Sequence, residues 1–159
     1  MCRRPKTGGF RSGTMSSIYI NKISSKHSKG RAIVTSAPNE FHEIGAWFVS
    51  DLLETNGWQI KYLGANTPKK DPIELSKNYK PDVLAISATM PYNINYASDV
   101  ISELKNSKET ENVKIMLGGQ VINKFQRFTE LSGADGSAQD AIKAVALAEQ
   151  WSKLNGAEG

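Results

Sequence analysis

Three short runs hold the residues whose types and spacing suit chemistry: Glu40-Phe41-His42-Glu43-Ile44-Gly45, Ser87-Ala88-Thr89, and Gly118-Gly119. Residues 46 to 86 and residues 90 to 117 separate them, gaps of 41 and 28 residues. The His42 imidazole is a suitable nitrogen donor for a transition metal. Glycines remove side chains where a backbone must approach a ligand closely. Each run also has a plain structural reading. His42 serves as a solvated histidine at a helix start, Glu40 as a helix cap, Ser87 as a satisfied strand end, and Gly118-Gly119 as an ordinary turn.

The elements that must position these runs alternate between β-rich and helical periods from Arg31 onward, the pattern of a parallel sheet covered by helices. Ala32 to Thr35 reads as the first strand, followed by a polar loop from Ser36 to Glu40. A helix follows from His42 to Thr55, with Ile44, Phe48 and Leu52 four residues apart and Asn56-Gly57 as its stop. Trp58 to Leu63 is the second strand. The next helix starts with Asp71 as cap, Pro72 at the first helical position and Glu74 completing a capping box, and it ends before Pro81. Val83 to Ile86 has the unbroken apolar character of a central strand buried on both faces. A helix from Asn95 to Asn106 turns Ala97, Val100, Ile101 and Leu104 inward, and Val113 to Leu117 is the fourth strand. A helix from Val121 to Leu131 buries Phe125 and Phe128, and Ala134-Asp135 is a short fifth strand. The last helix, Ala138 to Trp151, lines one side with Ala141, Ile142, Val145 and Ala148. Five such units in this length predict a flavodoxin-like, Rossmann-like, doubly wound parallel sheet, in which ligands bind outside the carboxyl ends of the strands. All three runs fall at that edge.

In this setting the runs resemble the cobalamin (vitamin B12)-binding domain of methionine synthases, corrinoid methyltransferase proteins, B12-dependent mutases and some B12-using transcriptional regulators. The family pattern is D-x-H-x-x-G, about 41 residues, S-x-L, about 26 to 28 residues, and G-G. The likeness extends from about Gly30 to Trp151. It implies that His42 is the lower axial ligand of cobalt, that the cofactor's own dimethylbenzimidazole is displaced, and that the nucleotide tail is buried in the domain. A ligating histidine usually has its second nitrogen held by a carboxylate, carbonyl or water. Glu40 stands at the family's Asp position and Ser87 at its Ser position, which implies a Ser87, Glu40, His42 relay. Gly45, Gly118 and Gly119 are implied cofactor contacts. Thr89 stands where the pattern has Leu, a departure that alters the tail pocket.

The wording from Pro38 to Gly45, with Trp58 and the run Tyr62 to Pro68, is similar to the sensor and regulator branch. The resemblance thus implies a cobalamin-dependent sensor, responsive to light through a labile cobalt to carbon bond, carrying methylcobalamin, adenosylcobalamin or hydroxocobalamin. The alternatives are a corrinoid carrier or small subunit of a methyltransferase or mutase, and a heme-binding sensor of the same fold. A receiver-like domain would need a phosphorylatable Asp at the end of the first strand, where Ser36 and Ala37 stand. No substrate domain is legible, so the chain is expected to bind rather than catalyse, with a protein partner covering the upper corrin face.

At 159 residues, 39% apolar and 23% charged, the chain has the balance of a single globular domain, and no apolar run approaches a bilayer span. Its charge of +4 is asymmetric. Residues 1 to 31 carry eight Lys or Arg and no acid, and the rest carries 12 basic against 16 acidic residues. The expected division is a basic leader over residues 1 to 30, a cobalamin-binding domain over 31 to 154, and a tail over 155 to 159. Nucleic-acid contact is expected only through the leader. The single Cys2 offers no disulfide framework and fits a cytoplasmic, reducing compartment. His27 reads as solvated, Gly8, Gly9 and Gly13 lack the strand that a phosphate loop needs, and Trp47 and Trp58 read as core.

Overall fold

The computed structural model describes residues 29–37, 44–64 and 66–158. Five parallel strands, β1 (Gly30–Ser36), β2 (Trp58–Gly64), β3 (Val83–Ser87), β4 (Lys114–Gly118) and β5 (Gly136–Ser137), lie in the order β2-β1-β3-β4-β5. This is the flavodoxin-like order, with its topological switch between β1 and β3. The helices are α1 (Ile44–Thr55), α2 (Lys70–Tyr79), α3 (Ile94–Lys105), α4 (Gln120–Lys124), α5 (Arg127–Ser132) and α6 (Ala141–Glu158), with a 3-10 turn at Pro91–Asn93.

Alternation along each strand divides the core into two layers. Ile33, Leu84, Ile86, Ile115 and Leu117 pack on one face against Tyr96, Ala97, Val100, Ile101 and Leu104 of α3 and Ile73 of α2. Ala32, Val34, Val83, Ala85 and Met116 pack on the other against Ala46 and Leu53 of α1 and Ala144, Ala148 and Trp151 of α6. The four inward residues expected of α3 are all buried.

Several expectations need correction. Ile44 and Phe48 do not face the core: Ile44 is 79% exposed, and the buried side of α1 is Ala46, Ser50 and Leu53. Two of these three are small, while the bulkier Ile44 and Phe48 stand outside. Trp58 is core as expected, whereas Trp47 is partly exposed. Ile142 is also outside, 75% exposed, while Ala141, Ala144, Ala148 and Trp151 face the sheet. Asp71 does not cap α2, because Lys69 already has helical dihedrals and Asp71 donates its amide to Pro68 O at 3.0 Å. The helix expected over residues 121 to 131 is two short ones. The chain leaves helical geometry at Phe125 (φ −118°, ψ 67°), whose side chain is exposed, while Phe128 still packs on the core. No Gly or Pro marks that break in the sequence. The fifth strand is Gly136–Ser137 rather than 134 to 135, and α6 starts at Ala141 and runs past Trp151 to Glu158.

Candidate functional site

At the carboxyl edge of the sheet the register lines up residues from three strands. Val34, Ala85 and Met116 form one row, and Ser36, Ser87 and Gly118 form the row above it. Both rows face α1 and α6, because residues two apart on a strand share a face. Gly45, Ala46 and Val49 of α1 and Ala141 and Ala144 of α6 leave a cavity of about 370 Å³ between the helices and the sheet. Gln120, Asn123, Gln139 and Asp140 add polar groups to its lining. Asp140 accepts the Lys143 amide at 2.8 Å, so its carboxylate caps the start of α6.

The loops above these rows are tied together. The Ala37 amide donates to Ser87 O at 3.1 Å, the Ala88 amide to Gly118 O at 2.9 Å, and the Ala138 amide to Leu117 O at 2.9 Å. The two glycines of the third run have different reasons to be glycine. At Gly119 φ is +109°, and a Cβ would lie 2.2 Å from Ala88 O, so the interlock with the β3 loop forbids any side chain. At Gly118 a Cβ would meet only Ala138 O, at 3.4 Å. Gly45 differs again: among the described residues a Cβ there would have nothing within 4 Å.

Of the residues singled out from the sequence, Gly45, Ser87, Gly118 and Gly119 are brought together on one cavity. Thr89, half-buried beyond Ala88, is not part of its lining. Glu40 and His42 lie outside the described residues, as do His27 and the basic leader through residue 28. The sequence reading did not single out the small lining residues Ala46, Ala85, Ala138 and Ala144 as part of a site. Their only signal was the run of alanines facing one another across predicted elements. On the opposite face of the sheet, burial pushes the Tyr96 phenol up to about 12, opposed by the Thr35 hydroxyl and aided by the charge of Asp71.

A cavity lined largely by small residues at this edge of an open α/β sheet suits a cofactor tail. The sequence model of the B12 binding domain matches residues 30–146. The chain belongs to the B12-binding domain family. Cobalamin is therefore its cofactor, and a site lined by Gly45, Ala46, Ala85 and Ala144 fits its tail.

Among relatives in this family, dimethylamine corrinoid protein 1 of Methanosarcina acetivorans is 34% identical over 127 residues, covering 79% of this chain and 59% of the relative. The monomethylamine corrinoid protein of Methanosarcina barkeri superposes with a TM-score of 0.70 at 29% identity, over 86% of this chain and 64% of that one. The methanol:cobalamin methyltransferase complex of the same organism shares the fold, with a TM-score of 0.67 at 22% identity over 79% of this chain and 47% of that one. The chain spans roughly 50 to 60% of the length of the three dimethylamine corrinoid proteins of Methanosarcina acetivorans that it matches. Among the described residues no helix is long and apolar enough to cross a membrane.

Proposed function

We propose that the chain is a corrinoid carrier. It binds cobalamin with the nucleotide tail in the α1/α6 cavity and His42 on the lower face of cobalt, and it presents the upper face to a protein partner. The observation that carries this reading is the cavity itself, bordered by Gly45, Ser87 and Gly118 at the carboxyl edge of the strands. Cobalamin supplies a cobalt centre able to accept and release a methyl group. The chain's own residues bind and orient it. Small side chains on α1, α6 and β3 admit the tail, Glu40 and Ser87 hold the second nitrogen of His42, and Gly118 lets the backbone approach.

The relatives are named as methylamine corrinoid proteins, which moves the weight from the regulator resemblance to the carrier. A methyltransferase complex among the fold relatives supports a protein partner for the upper face.

The test fills the slot. Ala144→Leu places a bulky side chain in the cavity from a buried position on α6. It is expected to weaken cobalamin binding at least about tenfold while leaving affinity for cobinamide, which lacks the nucleotide tail, nearly unchanged. Equal losses for both corrinoids, or none, would overturn the assignment of the cavity. The carrier role is read separately, as methyl transfer between the loaded chain and a second protein. Association that depends on illumination, with no transfer, would return the reading to a sensor.

A further inference from the structure

The cavity changes character along its depth. Its polar side chains, Ser87, Gln120, Asn123, Gln139 and Asp140, all sit at the carboxyl ends of strands or in the loops and first turns that follow them. They form the mouth, where the Asn123 side-chain amide donates to Gln139 O at 3.4 Å and Asp140 takes the Lys143 amide. Further in, the lining is apolar. Val34, Ala85 and Met116 lie two residues back along their strands from the row of Ser87 and Gly118. Val49 and Ala144 lie about one helical turn below Gly45 and Ala141. Apart from the weakly accepting Met116 sulfur, these inner side chains carry no hydrogen-bonding group. The strand backbone beside them is taken up in the β1–β3 and β3–β4 ladders.

We infer that the cavity selects among corrinoids by the base that ends the nucleotide tail: it accepts an apolar benzimidazole and disfavours adenine, with Met116 and Val49 as specificity-determining residues. This rests on the reading of the cavity as the tail site. The base is the end of the tail and occupies the inner part, while the sugar and phosphate that join it to the ring stay at the polar mouth. Both bases are bicyclic and of similar size, so volume does not separate them. Polarity does. Dimethylbenzimidazole offers methyl groups to the inner wall, whereas adenine brings an amino group and ring nitrogens that leave water and meet no partner there. Met116 is buried on the floor, and its unbranched side chain can follow the outline of the base. Val49 lines the same depth from α1.

The full chain is titrated by calorimetry with cobalamin, with the corrinoid that carries adenine in place of dimethylbenzimidazole, and with cobinamide. The unmodified chain is expected to prefer cobalamin over the adenine corrinoid at least about tenfold, the scale on which an apolar pocket rejects an added polar group. Met116→Gln keeps the length of the side chain and supplies a donor and an acceptor, and it is expected to lower that preference at least about threefold with affinity for cobinamide unchanged. Val49→Thr places a hydroxyl at a partly buried position without changing shape, and the same direction is expected; it decides the matter if Met116→Gln does not fold. Comparing variants with the unmodified chain cancels any difference between the free cofactors. Equal affinity of the unmodified chain for the two complete corrinoids, or a preference that the folded variants leave unchanged, would overturn the inference. If cobalamin binds no tighter than cobinamide, the tail reading falls and this inference with it. If both complete corrinoids bind tighter than cobinamide but equally well, base selection alone falls.

Discussion

Gly119 carries a constraint that a motif cannot convey. With φ at +109° and a would-be Cβ 2.2 Å from Ala88 O, Gly119→Ala must move one of two loops that are also hydrogen-bonded to each other. The expected cost is at least about 2 kcal/mol of folding stability, measured by urea denaturation without cofactor. A loss confined to cobalamin affinity would make the glycine a ligand contact instead. Tyr96 is the second residue with a measurable signature. Its raised pKa of about 12 means that the phenolate is disfavoured in the fold. The associated stability is complete below the ordinary value of 10.0 and is lost as pH rises through about 12. Denaturation midpoints of the unmodified chain are expected to fall over that interval, with a smaller fall in Tyr96→Phe; parallel falls would remove Tyr96 as the cause. At this scale type and spacing singled out Gly45, Ser87 and Gly118, which the structure brings to one cavity. The sequence was nearly silent at Ala46, Ala85 and Ala144, where the working feature is the lack of a side chain.

Among the elements, α1 shows why apolar period is an incomplete guide. Ile44, Phe48 and Leu52 repeat at helical spacing, yet Ala46 and Leu53 make the contact with the sheet. A helix that borders a ligand cavity needs small residues at its inner surface, which leaves large apolar residues on the outer side. Leu53→Ala is therefore expected to cost about 2–5 kcal/mol, and Phe48→Ser less than about 1 kcal/mol, compared by thermal and chemical unfolding. The reverse order would restore the face expected from the sequence. The strands were more legible, since Val83 to Ile86 and Val113 to Leu117 fall within a residue of β3 and β4. Buried parallel strands are marked by composition alone. The start of α2 and the break at Phe125 were not legible. Lys69 and Phe125 take their backbone geometry without a residue type that demands it.

For the whole molecule, the order β2-β1-β3-β4-β5 places the carboxyl ends of β1, β3 and β4 beside one another, so that residues far apart in the chain line one cavity. That architecture was legible because five alternating units leave few right-handed, uncrossed arrangements. The site has two unlike walls. One is the stitched row of Ala37, Ser87, Ala88, Gly118 and Ala138, tied by backbone bonds between strand ends. The other comprises the small residues of α1 and the first turn of α6, where the earliest amides have no partner inside their own helix. The difference belongs in amide hydrogen exchange. Ala88 and Ala138 are expected to exchange only through large-scale opening, even in the cofactor-free chain, whereas the first turn of α6 exchanges by local fraying and slows sharply when cobalamin is added. Equal rates at both walls without cofactor would show the stitched row to be loose. The contrast gives the domain a division of labour in time: one wall is finished when the chain folds, and the other is completed by what it binds.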